Sequence, residues 1–195
     1  MSTHIEPPRL PFPEPEDYQA GRAHLGYSVL DGIAGGEDEP PHPINWNLLT
    51  ADEAEAEWLD LNAWVHWLRA TYGLAPTVVP PYWHRHDELV WELSALHTHW
   101  LYSYDPDGIG PAPLAWHRDF AEARHRLREW VSTCGTKLDR DRPTRLTIWP
   151  GEEPADPGVE VLIEDREADF LAFVLQDVTA RRQIEERVRA LARTS

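Results

Sequence analysis

Apolar residues recur every three or four positions early in the chain: Ala54, Trp58, Leu61, Trp64, Val65, Leu68 and Tyr72. This spacing puts them on one face of a helix. Thr50 followed by Glu53 forms a capping box, in which each side chain satisfies an amide left unpaired at the helix start. Gly73 supplies the left-handed residue that stops the helix. Pro76, Pro80 and Pro81 disfavour helix at the residues before them, so Leu74–Pro81 is expected to be extended.

A second helix follows from His86 or Asp87 to Tyr104, with the stripe Leu89, Val90, Leu93, Leu96, Trp100, Leu101 and Tyr104. Asp105-Pro106-Asp107-Gly108 is a turn, because proline sets one torsion and glycine permits the next. Pro111 and Pro113 suit the first turn of a third helix. Its stripe is Trp116, Phe120, Ala123, Leu127, Trp130 and Val131, and it ends near Gly135. Three amphipathic helices with short connections pack their stripes together. The tryptophans read first as core anchors, each worth roughly 2–3 kcal/mol when buried, and second as a ligand or partner surface.

Beyond Gly135 the pattern changes. Leu146–Trp149 and Val159–Ile163 are short β-prone runs around a Pro/Gly-rich loop and predict a minor hairpin. A last helix includes Thr179–Arg193, with Ile184, Val188 and Leu191 as its apolar side and Glu185–Arg189 as a pair four residues apart. Residues 1–45 read as a disordered arm, because Pro7, Pro8, Pro11, Pro13, Pro15, Pro40, Pro41 and Pro43 block regular structure and Glu37, Asp38 and Glu39 keep it solvated. Tyr18–Leu30, free of proline, is the one stretch of the arm that admits a short ordered piece. The fold class expected is therefore mainly α. It comprises a disordered acidic arm (1–45), a Trp-rich helical bundle (46–135), a linker with the hairpin (136–165) and a C-terminal helical segment (166–195).

Charge narrows the partners. The 195-residue chain carries a formal charge of −16, and residues 1–60 supply eleven of those charges, with thirteen acids against Arg9 and Arg22. Such a field disfavours DNA and anionic membrane surfaces. Arg118, Arg124, Arg126 and Arg128 on the third helix, and Arg181, Arg182, Arg187, Arg189 and Arg193 on the last, are the footholds for nucleic acid. Asp119, Glu122, Glu129, Glu185 and Glu186 are interspersed among them, as on a solvated face laced with ion pairs. Cys134 is the sole cysteine, which suits a reducing compartment. No signal peptide is read in the acidic, proline-broken N-terminus, and no apolar run approaches the roughly 20 residues of a membrane helix. A cytoplasmic protein with no membrane partner is expected.

Ten histidines raise the question of a metal. Imidazoles on one helix chelate when three or four residues apart, and no pair within the expected helices meets that rule. His97 and His99 point to nearly opposite sides, and His117 and His125 sit about 12 Å apart along their helix. His84 and His86 share a side if their segment is extended. His97, His117 and Cys134 complete a site only if packing brings them close, and histidines at helix ends and aromatic borders are the plainer alternative. Ser94 lacks a nucleophile elbow, Cys134 lacks a protease context, and no phosphate-binding glycine loop or dinucleotide fingerprint is present. Glu160, Glu164 and Asp165 after a β-prone run lack the lysine of a nuclease set. No cofactor is expected.

Two resemblances are carried by particular residues. Trp64-Val65-His66-Trp67-Leu68, Tyr72-Gly73-Leu74, Val79-Pro80-Pro81-Tyr82-Trp83-His84-Arg85-His86, Glu92-Leu93-Ser94-Ala95-Leu96, Tyr104-Asp105-Pro106 and Trp116-His117 form a motif set. Through them Trp58–Gly135, about two-fifths of the chain, resembles the domain of unknown function numbered 4913, found in actinobacteria and their plasmids and phages. Its motif positions here are Trp64, Trp67, Pro80, Pro81, Trp83, His86, Leu93, Trp116 and His117. The family often has cysteine where Tyr82 stands, so no thiol role carries over. The resemblance implies a genomic setting and no reaction. Phe173-Val174-Leu175-Gln176-Asp177-Val178-Thr179-Ala180-Arg181-Arg182 looks like the strand-to-helix exit of PAS sensory domains, although a helical bundle precedes it here rather than a five-stranded sheet.

The expectation from sequence is a non-enzymatic protein-interaction module of an actinobacterial mobile element or its host. The alternatives are a nucleic-acid-associated accessory protein for plasmid or phage maintenance, whose acidic arm could mimic DNA, and a metal-dependent hydrolase.

Overall fold

The computed structural model describes residues 42–144, 147–153 and 158–194. The expected arm, Tyr18–Leu30 included, lies outside them as far as residue 41. At its far end Ile44 already packs against the core and Trp46 is buried.

Helix α1 spans Ala51–Tyr72 and starts at the capping box: Thr50 Oγ1 accepts from Glu53 N at 3.3 Å, and Glu53 Oε2 accepts from Thr50 N at 2.8 Å. The bonds from Thr50 hold the Glu53 carboxyl below its ordinary range. Gly73, at φ 58°, ends the helix by donating its N–H to Arg69 O. The face buried is the one the periodicity gave, from Ala54 to Leu68.

Leu74–Pro81 is not extended throughout. Val78 and Val79 both donate to Ala75 O, closing a turn that buries the two valines. Proline's fixed φ suits the first position of such a turn, so Pro76 bends the chain here. A single 3₁₀ turn, Trp83–Arg85, then leads into α2, Asp87–Ser103. Leu89, Val90, Leu93 and Leu96 are buried as expected, but Leu101 and Tyr104 are exposed. His97 and Ser94 take inward positions instead. The Asp105–Gly108 turn forms, with Gly108 N donating to Asp105 O.

Helix α3, Ala112–Thr133, begins after Pro111 with Pro113 in its first turn, and buries Trp116, Phe120, Ala123 and Leu127. Trp130 stays exposed. Arg126 forks onto Glu92, and Trp116 Nε1 donates to Leu96 O, which ties α3 to α2.

One strand of the β-ladder falls within the expected run Val159–Ile163, and the other does not fall within Leu146–Trp149. Strand β1, Arg140–Asp141, pairs antiparallel with β2, Val161–Leu162, in the register Arg140↔Leu162 and Asp141↔Val161. Leu146 lies outside the described residues, and Ile148 and Trp149 form no strand and face solvent. The pairing is chosen by a polar attachment: the Asp141 side chain is drawn inward by His86, while both residues of β2 are exposed.

Helix α4 runs unbroken over Arg166–Thr194. Asp165 Oδ1 accepts from Glu167 N and Ala168 N, satisfying two amides of its first turn. Phe173–Arg182 therefore sits wholly inside one helix, with no strand feeding it. Its buried residues are Phe170, Val174 and Val178, whereas Ile184, Val188 and Leu191 are exposed, contrary to expectation. The first half of α4 packs along α1: Trp58 Nε1 donates to Asp177 Oδ2 at 3.0 Å, and Arg166 Nη2 to Asn62 Oδ1 at 2.5 Å. Ala51 N donates to Glu185 Oε1 at 2.7 Å, and past that point the bundle no longer covers the helix.

The core is aromatic. Of the ten tryptophans, Trp46, Trp58, Trp64, Trp83 and Trp116 are buried, Trp67 and Trp100 are half-buried, and Trp91, Trp130 and Trp149 are exposed. Stacked and edge-on contacts link Trp58 with Trp46, Trp83 and Phe173, and Trp116 with Phe120. The protein is thus mainly helical, a Trp-rich bundle with one two-stranded ladder.

Candidate functional site

The segment Pro80–His86 carries the densest set of chemical side chains, and its 3₁₀ turn sends them to different elements. Tyr82 is buried, and its hydroxyl lies 3.2 Å from both Leu138 O and Ile163 O, so its one proton bridges the two sides of the β-ladder region. Burial pushes the phenol up, aided by Asp169, Asp139 and Asp141 nearby. His84 turns to α4, with Nε2 2.9 Å from Asp169 Oδ2. Arg85 bonds both oxygens of the same carboxylate. Burial opposes ionisation of Asp169, but Arg85 and His84 outweigh it and hold the carboxyl below its usual range.

Burial drives His84 down to about 4, with Arg166 and Arg85 adding repulsion that the Asp169 bond only partly offsets. The ring is therefore neutral near pH 7. Because Asp169 can only accept, the proton sits on Nε2, and the buried Nδ1 has no partner among the described residues.

His86 turns the other way. Nε2 lies 2.9 Å from Asp141 Oδ1 and Nδ1 2.9 Å from Thr144 Oγ1, while the Thr144 hydroxyl donates to Glu88 Oε1 at 2.7 Å. An acid, an imidazole and a hydroxyl in line have the outline of a nucleophile relay. Here the hydroxyl proton is engaged by Glu88, and the imidazole is buried among its partners. What this arrangement does is fasten residues 139–144 to the start of α2.

The remaining candidates scatter. His97 is buried with its ring 4.9 Å from that of Trp64 and its Nε2 3.8 Å from Asp60 Oδ2, and burial lowers its pKa. His117 Nε2 lies 3.0 Å from the Tyr104 hydroxyl. Cys134 is buried, donates to Val131 O, and has its thiol pushed up by burial. His84 and His86 are thus held by opposite partners rather than facing one ion. Among the described residues, no three His, Cys, Asp or Glu side chains are grouped to hold a metal. Of the acids weighed as a nuclease set, Glu160 pairs with Lys137 and Arg140, and Asp165 caps α4.

The arginine-rich faces are largely neutralised. Arg118 pairs with Asp119, Arg126 with Glu92, Arg181 with Asp177, Arg182 with Asp52 and Glu55, and Arg189 with Glu185. Arg124 lies over the Phe120 ring instead. Among the described residues, no helix is long and apolar enough to cross a membrane.

A surface that the core stripes did not anticipate lies on the outer side of α2. Trp91, Ala95, Thr98 and Tyr102 follow one another at helical spacing on the side away from the core. With Pro43 and Ile44 opposite and His99 at the edge, they line a groove of about 350 Å³. Trp91 is 40% exposed and Tyr102 64%. The Thr98 hydroxyl donates to Ser94 O, and His99 is held by Asp119 and Ser103. The Trp91 indole N–H and the Tyr102 hydroxyl have no partner among the described residues. The signal was present in the sequence, since the spacing 91, 95, 98, 102 is as regular as that of the buried stripe.

No protein-family model, curated protein or solved structure matches this chain.

Proposed function

We propose that this chain is a non-enzymatic protein-interaction module that docks a partner on the outer face of α2. One observation carries the reading: a helix whose inner face is fully used by the core bears a second stripe, with two large aromatics exposed over a groove. Single exposed apolar residues are ordinary, but a contiguous apolar concavity bordered by aromatics is characteristic of recognition surfaces. Aromatics with an unused donor at the rim supply both contact area and a directed bond.

His84, His86 and His99 are each held by a carboxylate, which supports a structural use of these imidazoles and a binding role for the chain. The pairing of most arginines on α3 and α4 supports a protein partner over a nucleic acid. The resemblance of Trp58–Gly135 supports a setting in an actinobacterium, with the chain encoded by a mobile element or its host.

The test is affinity capture with the full chain and with a Trp91→Ala/Tyr102→Ala variant whose circular dichroism matches wild type. A specific protein recovered by the wild type and lost by the variant is the expected result. Recovery of nucleic acid alone, lost in moderate salt, overturns the reading.

A further inference from the structure

Resting on that interaction reading, we infer that the α2 groove binds a proline-rich segment in the polyproline II conformation, flanked by a basic residue. Polyproline II has no internal hydrogen bonds, so its carbonyls face outward unpaired, and prolines contribute no N–H groups. A complementary surface offers flat apolar rings for the pyrrolidines and donors for the carbonyls. The α2 groove offers both, since Trp91 and Tyr102 are exposed rings that each carry a donor unused among the described residues.

Spacing agrees with this occupant. Tyr102 lies eleven positions after Trp91, about 16 Å along a helix, and roughly five residues of polyproline II at 3.1 Å each cover that distance. A proline already packs here, because Pro43 forms part of the opposite wall.

Charge selects the flank. Asp87 is exposed, has no ion-pair partner among the described residues, and lies one turn before Trp91, so the two are neighbours on the helix surface. The field of a chain at −16 adds to it. An arginine or lysine next to the prolines meets Asp87 at the Trp91 end, whereas an acidic flank is repelled.

The test is fluorescence anisotropy of the full chain with a labelled synthetic peptide of eight prolines followed by two arginines. Saturable binding with Kd on the order of tens of micromolar is expected, because so short a segment buries little area. Trp91→Ala and Tyr102→Ala, both at exposed positions, each weaken it about tenfold or more. Asp87→Asn weakens it about threefold but leaves a peptide ending in two glutamines unchanged.

No saturable binding up to about 1 mM, or equal binding of a peptide with alanine in place of every proline, overturns the inference. If Trp91-dependent partner capture persists in that case, the interaction reading stands without it. If capture is also lost, both fall.

Discussion

His84 Nε2 lies 2.9 Å from Asp169 Oδ2, a contact across 85 residues of sequence that joins the 3₁₀ turn to the first turn of α4. It is made by a fully buried, neutral imidazole whose pKa falls from the ordinary 6.5 to about 4. The unfolded chain takes up a proton at His84 as pH drops through 6.5, and the folded chain does so only near 4. Stability is therefore fully present above about pH 6.5 and declines between there and 4, by roughly 3 kcal/mol from this group. Urea titrations at pH 7, 6, 5 and 4.5 are expected to show the decline. His84→Gln, which keeps a donor toward Asp169, is expected to flatten it. An unchanged slope in that variant counts against the assignment.

Two tryptophans of like chemistry and opposite placement separate core from surface. Trp64 is fully buried against the His97 ring, while Trp130 is 43% exposed on α3. Trp64→Ala is expected to cost about 3–5 kcal/mol through lost transfer energy and the cavity left behind. Trp130→Ala is expected to cost under about 1 kcal/mol. Denaturant midpoints at neutral pH measure both.

Gly135 follows α3 where Arg142 folds back over the backbone, and a Cβ there would land inside the Arg142 side chain. Gly135→Ala must displace Arg142 and disturb the segment that carries Asp141 and Thr144. We expect a loss of about 1–3 kcal/mol, as for other overpacked sites, and raised amide exchange over residues 136–144. Gly110, where an added Cβ meets nothing within 4 Å, is the control.

The capping box at Thr50 is exposed and has few other roles, so its energy reads cleanly. Thr50→Ala removes the acceptor for Glu53 N and is expected to cost about 1 kcal/mol. With the Thr50 hydroxyl gone, the Glu53 carboxyl keeps the backbone N–H bond and loses the weaker side-chain one, so its titration, followed by carbon NMR, moves only part of the way upward.

Local chemistry was legible wherever it was decided locally. The box at Thr50, the stop at Gly73, the Asp105–Gly108 turn and the stripes of α1 and α3 all follow from neighbours within a few residues. The second strand was legible in the run Val159–Ile163, but the first was not, because β1 is two polar residues positioned by Asp141 meeting His86, a contact 55 residues apart. The C-terminal helical segment expected over 166–195 agrees with α4, but the likeness of Phe173–Arg182 to a strand-to-helix exit pulled the other way, and the Asp165 cap that favours helix is a single residue. Histidine roles were equally hidden: partners on α4 and β1 determine where His84 and His86 point, and neither partner is near in sequence. The outer stripe of α2 was as legible as the inner one, because Trp91, Ala95, Thr98 and Tyr102 recur at the same helical spacing.

Because Phe170 and Phe173 sit against Trp83 and Trp58, and Val174 and Val178 join the same buried core, the last long helix supplies one wall of the interior. A growing chain that has reached only the end of α3 therefore holds those indoles beside open water. Completion of this fold waits on its C-terminal stretch, and a chain cut after residue 135 is left with an apolar wall open to water and prone to aggregation.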